Sequence, residues 1–234
     1  MSPPRWPGTA PVVPQALDTH LADLPTAAAV TLRTGGSGVV LGTAPDGTAA
    51  SIALFRPEPT TGVAVGGLAL AQLIAFRALA VGARVVVETR RPAAWQTFGN
   101  LSPGATGSIT LTEHADDDTP GSVQTPRLLL VDAESAASAE PRRVGRWSTV
   151  VTAHDRLSTW SAPLLGTSDL ALLLTPTLNE ARLAASALNL PDAARQLAGH
   201  PEGTVVVAHR GGWRTAAVAL TDVEQWLVGD LSRR

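Results

Sequence analysis

The apolar positions of this chain fall into short runs that switch between strand-like and helix-like spacing from about residue 30 onward. The first runs, Val39–Leu41 and Ala50–Phe55, flank Asp46-Gly47, a dipeptide that favours the positive-φ turn of a β-hairpin. We therefore predict a hairpin near the start of the folded region. Residues 1–30 contain repeated prolines, which fix φ and remove backbone donors, and this predicts an extended arm.

The most informative pattern covers residues 63–87. Val63–Val65 is a short apolar run that leads into Gly66-Gly67, and Leu68–Val81 has the spacing of a helix that is apolar on nearly every side. A glycine ends that helix, and the apolar run Val85–Val87 predicts a second strand. Strand, helix and strand in this order indicate a right-handed βαβ unit with parallel strands.

The alternation of strands and helices continues to the end of the chain. Its later members are strands at 127–131, 148–153 and 169–174, a helix that begins with the capping box Thr177–Glu180, and a hairpin around Gly211-Gly212. This order predicts one α/β domain at residues 31–234. We expect a Rossmann-like or degenerate P-loop-like three-layer fold, with a mainly parallel sheet and antiparallel hairpins at the edges.

Composition limits the chemistry more than the fold. The chain has no Cys, and all 18 of its basic residues are Arg. Without Cys it forms no disulfide, thiolate nucleophile or Cys-ligated zinc site, and without Lys it has no Schiff base or P-loop lysine. The net charge of −2 gives no reason to expect a nucleic acid partner.

The turn at Gly66-Gly67 is the first candidate binding site. A helix that follows a strand presents free N–H groups at its N-terminus, where a phosphate group fits. The dinucleotide motif G-x-G-x-x-G and the P-loop motif G-x-x-x-x-G-K-[ST] are both incomplete, because Leu68–Ala71 supplies neither the later glycines nor the Lys and hydroxyl. Two hypotheses stay open: a tight turn alone, which is favoured, and a site for a nucleotide or nucleotide sugar.

Three other polar groups resemble catalytic elements. Asp132 closes an apolar strand as a Walker B aspartate does, although an Asp in that place is more often a turn former. His114 with Asp116–Asp118 lacks the spacing of a calcium loop and indicates a solvated acidic loop. His154-Asp155 and His209 have no G-x-S-x-G nucleophile elbow to serve. The sequence therefore predicts no catalytic residue, no cofactor, no metal site and a protein that is not an enzyme.

Several segments together resemble the EccE family, a core component of the type VII (ESX) secretion machines of actinobacteria. The similar segments are Gly38–Gly42, the βαβ unit Val63–Val87, Trp95–Phe98 and, more weakly, residues 165–230 with Thr221–Glu224 before a short helix. EccE proteins also carry two N-terminal transmembrane helices and a further cytosolic portion that have no counterpart here. The family offers no catalytic motif to transfer.

The resemblance implies a non-catalytic structural or assembly component of a type VII secretion system that acts through protein–protein contacts. It implies other subunits of the secretion membrane complex as partners, and a cytoplasmic location at the inner face of the membrane, held there by an anchor or a partner. The residues themselves indicate Arg210, Trp213 and Arg214 as the partner-binding set, because the Gly211-Gly212 turn places them on a hairpin beside a sheet edge. The rivals are a nucleotide- or nucleotide-sugar-binding enzyme that uses Gly66-Gly67, and a degenerate P-loop adaptor of an unrelated assembly.

Overall fold

The computed structural model describes residues 38–101, 109–115, 119–134 and 144–231. The strands are β1 (Gly38–Thr43), β2 (Ala49–Ala53), β3 (Thr60–Val65), β4 (Arg84–Glu88), β5 (Ile109–Thr112), β6 (Arg127–Asp132), β7 (Ser148–His154), β8 (Leu170–Leu174), β9 (Thr204–His209) and β10 (Gly212–Ala217). The helices are α1 (Gly67–Ala80), α2 (Pro92–Leu101), α3 (Ala162–Thr167), α4 (Leu178–Ala187), α5 (Ala194–Leu197) and α6 (Asp222–Val228). The predicted arm at 1–30 lies outside the described residues, so the domain boundary at residue 31 stays a prediction.

The strands form one sheet in the order β2-β1-β10-β9-β8-β3-β7-β6-β4-β5. The part from β8 to β5 is parallel, whereas β9, β10, β1 and β2 add antiparallel strands on one side. The two hairpins come from opposite ends of the described chain and meet as neighbours. The predicted fold class is confirmed: an α/β domain with a P-loop-like parallel sheet and antiparallel hairpins at its edge.

The predicted βαβ unit is confirmed as β3, α1 and β4, but its two strands are not neighbours. β7 and β6 lie between β3 and β4 in the sheet. Helix α1 packs between the sheet and α6, which explains why its sequence is apolar on nearly every side. Leu70, Leu73 and Ile74 are all fully buried, and each such side chain stabilises the fold by about 1.5–3 kcal/mol.

Two apolar clusters cover the two faces of the sheet. The larger joins α1 to side chains of β4, β6 and β9 such as Val85, Leu130 and Val207. The other joins α3, α4 and α5 to β3, β8 and β9. The predicted capping box is present at Thr177–Glu180, and a second one lies at Thr221–Glu224. No helix in the described part of the chain is long and apolar enough to span a bilayer.

Arg77 joins α1, β1 and α6 through one guanidinium. Its Nε donates to Glu224 Oε1 at 2.6 Å, and its Nη2 donates to Glu224 Oε2 at 3.0 Å and to the carbonyl of Ala219 at 2.9 Å. Its Nη1 donates to the carbonyl oxygens of Val40 and Leu41, at 2.9 and 2.6 Å. These bonds use all five N–H groups of the side chain. Both charged partners are largely buried, with side-chain exposures of 12% for Arg77 and 6% for Glu224.

The ion pair also sets the acid response of Glu224. Burial alone would raise the pKa of this carboxyl, but hydrogen bonds from Arg77 and Thr221 outweigh burial and hold the pKa below its ordinary value of 4.5. A lowered folded-state pKa means that the stabilisation is complete above the ordinary value and is lost as pH falls through the folded-state pKa.

We predict that Arg77→Met lowers the free energy of unfolding at pH 7 by about 3–5 kcal/mol, because it leaves the Glu224 carboxylate buried without its cation. Urea denaturation measures the change. Arg77→Lys, which keeps the charge but not the five-donor geometry, should recover only part of the loss. The loss should shrink as pH falls through the folded-state pKa of Glu224, and a loss independent of pH would contradict the ion pair as its cause.

Candidate functional site

A cleft of about 770 Å³ lies over the N-terminus of α1. We call it the carboxyl-edge cleft, because the parallel strands β3, β4, β6 and β7 all end at this edge of the sheet. Its lining comes from Gly66–Ala69, Gln72, Arg91, Glu134, Asp155-Arg156 and Val228–Asp230. In open α/β sheets this edge is where ligands bind, since loops from several strands converge there.

The Gly66-Gly67 turn forms the floor of the carboxyl-edge cleft. β3 ends at Val65 and α1 begins at Gly67, so one residue separates strand from helix. Gly67 has φ +78°, a conformation that favours glycine, and a Cβ on Gly66 would lie 2.6 Å from Leu174 Cβ. The Gly66 N–H donates to the carbonyl of His154 at 3.0 Å. The glycines therefore serve a tight turn, as the favoured hypothesis held, and the turn still presents a helix N-terminus to the cleft.

The sequence at the start of α1 does not cap the helix. Gly66 at the N-cap position has no side chain, and the first turn carries no acidic residue. The first N–H groups of this 14-residue helix have no partner within the helix, and its N-terminus directs a partial positive charge toward the carboxyl-edge cleft. This arrangement can bind an oxyanion.

Asp132, the Walker B-like residue, is held by an arginine. Arg91 Nε donates to Asp132 Oδ2 at 2.7 Å, and Arg91 Nη2 donates to Oδ1 at 2.8 Å. Thr89 Oγ1 and Trp95 Nε1 also donate to Oδ2, at 2.8 and 3.2 Å. Asp132 is buried, with 2% of its surface exposed. Its carboxylate therefore forms an ion pair that joins the ends of the neighbouring strands β4 and β6. The sequence alone favours a turn-forming role for this residue.

The pKa values in and around the carboxyl-edge cleft follow from this pairing. The pKa of Arg91 is raised, first by its hydrogen bonds to Asp132. Burial by itself would raise the pKa of Asp132, but the bonds from Arg91, Thr89 and Trp95 outweigh burial and lower it. Burial lowers the pKa of His154, against the opposing effect of nearby carboxylates. The ionised Arg91–Asp132 pair is therefore the stable form at neutral pH.

The other charges that line the cleft are mainly negative. Two arginines, Arg91 and Arg156, line the cleft together with the carboxylates of Glu134, Asp155 and Asp230. Glu134 Oε1 accepts a hydrogen bond from the Asp155 N–H at 3.1 Å, and Arg91 Nη2 lies 4.0 Å from Asp155 Oδ1. An anionic ligand therefore meets favourable donors at the helix N-terminus and unfavourable charge around it.

The structure brings some of the sequence candidates together and separates others. Gly66-Gly67, Asp132 and His154-Asp155 share the carboxyl edge of the sheet. His209 lies at the opposite edge together with the predicted partner-binding residues, Arg210, Trp213 and Arg214. Asp116–Asp118 lie outside the described residues. In the described ranges, no group of three or more His, Asp or Glu could hold a metal ion.

Sequence reasoning missed Arg91, Glu134, Arg156 and Asp230. The first three each lie just after an apolar strand, and parallel strands end at one edge. Since residues that follow parallel strands lie at the same edge of the sheet, the sequence alone could have placed Arg91, Glu134 and Arg156 together at that edge. Asp230 follows α6, and its sequence carries no comparable signal. Its place depends on where α6 packs.

Comparisons with known proteins identify the fold. No protein-family model and no curated protein matches the chain. Its structure is similar to that of VirB4 of Thermoanaerobacter pseudethanolicus, with a TM-score of 0.54 and 12% identity over 81% of this chain and 98% of that one. It is also similar to the cytoplasmic domain of the type VII secretion ATPase EccC of Thermomonospora curvata, with a TM-score of 0.53 and 14% identity over 84% of this chain and 31% of that one. The chain thus has the same α/β fold as these two proteins.

Two expectations from the sequence are wrong. The resemblance to the EccE family is contradicted, because the similar structures are VirB4 and the type VII secretion ATPase EccC. A strand, an Ala-rich helix and a strand occur in many α/β folds, so the local pattern did not identify the family. The expectation that the chain is not an enzyme is contradicted by the same finding, since a protein of the same fold, EccC, is an ATPase. That expectation relied on the absence of lysine. A missing lysine removes one contact to a phosphate group, but it does not exclude the fold.

We predict that Asp132→Ala lowers the free energy of unfolding by about 3 kcal/mol, since it removes the anion of a partly buried pair. Asp155→Ala is the matched control, because Asp155 has a side-chain exposure of 51% and its ion pair should contribute at most about 1 kcal/mol. Adding Arg91→Gln to each variant completes a double-mutant cycle by thermal unfolding. Arg91 should couple strongly to Asp132 and weakly to Asp155. Equal coupling to both carboxylates would contradict the assignment.

Proposed function

We propose that this chain is a nucleotide-binding domain of a secretion machine, which holds the phosphate groups of a nucleotide over the N-terminus of α1. The observation that carries the proposal is the carboxyl-edge cleft, which lies at the ligand-binding edge of a secretion-ATPase fold. Its volume of about 770 Å³ falls within the range of small-molecule sites. Phosphate oxygens would accept hydrogen bonds from the N–H groups of Leu68 and Ala69 in the first turn of α1.

The charge around the cleft decides the form of the nucleotide. Asp132 takes up most of the charge of Arg91, whose contact with Asp155 is only a 4.0 Å ion pair. The carboxylates of Glu134, Asp155 and Asp230 therefore outnumber the arginines that are left to oppose them. A bare triphosphate would add further negative charge to this site. Mg²⁺ typically binds one or two carboxylates together with phosphate oxygens, and the exposed carboxylates of Glu134 and Asp155 suit that role. We therefore propose the magnesium complex of the nucleotide as the ligand, with the metal arriving on the phosphates.

Partners and location belong to the same proposal. The likeness to the cytoplasmic domain of a type VII secretion ATPase supports subunits of such a machine as binding partners. It also supports work at the inner face of the membrane, with the chain held there by those subunits. Co-purification from a cell that expresses the machine would check this part separately from nucleotide binding.

We predict that MgATP binds to the purified chain and that Ala69→Glu weakens binding at least about tenfold, because a carboxylate in the first turn of α1 would occupy the phosphate position. Isothermal titration calorimetry measures both affinities. A glutamate at this position is compatible with folding, since the helix dipole favours a negative charge there. Ala194→Glu makes the same change at the first turn of α5, outside the carboxyl-edge cleft, and should leave the affinity unchanged.

The negative charge of the cleft should make the affinity for ATP depend on Mg²⁺. Removing Mg²⁺ with EDTA should weaken binding, whereas Glu134→Gln should strengthen the binding of metal-free ATP by reducing repulsion. Phosphate release from the same samples reports turnover separately from binding. Equal affinities of wild type and Ala69→Glu would overturn the proposed site, and no binding at millimolar MgATP would overturn the proposed function.

A further inference from the structure

A second cleft, of about 620 Å³, lies at the opposite edge of the sheet. It opens where β8 begins and β9 ends, which is the amino edge of the parallel strands. We call it the basic cleft. Its titratable side chains are Arg56, Asp169, His209, Arg210 and Arg214. Trp213 also lines it, so this cleft contains all three residues that the sequence indicated for partner binding.

Two of its arginines are held in place but keep their charge. Arg210 Nη2 donates to the carbonyl of Gly166, and Arg214 Nη2 donates to the carbonyl of Ser51. In the described ranges, neither guanidinium forms an ion pair with a carboxylate. A carbonyl oxygen orients a guanidinium without cancelling its charge. The two side chains are therefore pre-oriented donors for an external oxyanion.

The carboxylate of this cleft does not neutralise them. Asp169 Oδ2 accepts from the Thr61 N–H at 2.8 Å and from Thr61 Oγ1 at 3.1 Å. The cation nearest to it is Arg56, whose Nη2 lies 3.7 Å away. Asp169 thus balances Arg56 and leaves the charges of Arg210 and Arg214 uncompensated.

The basic cleft also offers apolar surface and main-chain groups, which a simple phosphate ion would not use. Ile52, Leu170 and Val207 give it an apolar floor. His209 pairs with Gly212 across the two-residue turn between β9 and β10. Since hydrogen-bonded and non-hydrogen-bonded pairs alternate in an antiparallel ladder, the N–H and C=O groups of Trp213 and Thr215 point away from β9.

The outer edge of β10 has little pairing with the other strands that the structure describes. Within the described strands, β1 pairs with β10 at the single position Thr43↔Ala217. The N–H and C=O groups of Trp213 and Thr215 therefore stay outside the ladder with β1. An extended peptide can use both an apolar floor and a strand edge of this kind.

We propose that the basic cleft binds an acidic peptide segment of a partner protein. Carboxylates of the segment bind Arg210 and Arg214, and its apolar side chains lie on the floor beside the indole of Trp213. Nucleic acid would satisfy the arginines but would leave the apolar floor and the edge of β10 unmatched. The inference does not depend on nucleotide binding, because the two clefts lie at opposite edges of the sheet.

The test uses a short dye-labelled peptide in which Glu alternates with Val or Leu, and fluorescence anisotropy with the whole chain. The same peptide with Gln in place of Glu is the matched ligand. We expect the acidic peptide to bind at least about tenfold more tightly than the Gln peptide, since bidentate carboxylate contacts are charge-assisted. Inorganic phosphate and a single-stranded oligonucleotide are competitors, and neither should displace the peptide at equal concentration.

Two kinds of variant locate the site. The double variant Arg210→Gln/Arg214→Gln should weaken peptide binding at least about tenfold. The control Arg182→Gln/Arg195→Gln removes the same amount of charge from exposed positions on α4 and α5, and it should keep most of the peptide affinity. Ala53→Trp blocks the cleft from an exposed position of the edge strand without touching the arginines, so it tests the site even where an arginine variant fails to fold. Equal binding of both peptides, unchanged binding by Ala53→Trp, or displacement by oligonucleotide would each overturn the proposal.

Discussion

The carboxyl-edge cleft depends on a guanidinium that lies about 15 Å away along α1. Arg77 uses its five donors to fasten the C-terminal half of α1 to β1, to the segment before α6 and to Glu224 of α6. The floor of the cleft is the start of α1, and part of its wall is Val228–Asp230 at the end of α6. Because this one side chain fixes both helices, it sets the distance between floor and wall.

A second arginine decides the chemistry of that cleft. In a chain without lysine, the positive charge beside the Walker B-like aspartate comes from Arg91, which reaches Asp132 from the end of β4. The pair leaves little capacity on Asp132 for a metal ion. A metal ion carried in by the proposed nucleotide would instead meet the cleft carboxylates of Glu134, Asp155 and Asp230. The missing lysine therefore changes how charge is arranged at this edge of the sheet, while the edge remains the binding edge of the fold.

The two edges of the sheet carry opposite charge. Carboxylates predominate in the carboxyl-edge cleft, and arginines predominate in the basic cleft. The net charge of −2 for the whole chain conceals this separation. The positions follow from topology: residues after parallel strands collect at one edge, and the turn of the antiparallel hairpin β9–β10 returns to the other.

Local pattern was enough for the elements of the fold. Periodicity located the β1–β2 hairpin, the unit from β3 to β4 and the helix after Thr177, because each depends on neighbours within a few residues. The local pattern could not identify the family, because a strand followed by an Ala-rich helix and another strand occurs in many α/β folds. The wrong EccE assignment came from that degeneracy.

The sequence by itself determined the alternation of strands and helices, the glycine turn before α1 and the absence of lysine and thiol chemistry. Only the tertiary structure decided that Arg91 pairs with Asp132 and that Arg77 pairs with Glu224, across 41 and 147 residues of chain. The physical reason is that a charge can pair with any opposite charge that packing brings within hydrogen-bonding distance. Strand order sets that packing, and strand order is fixed by burial of the whole sheet and not by any local pattern.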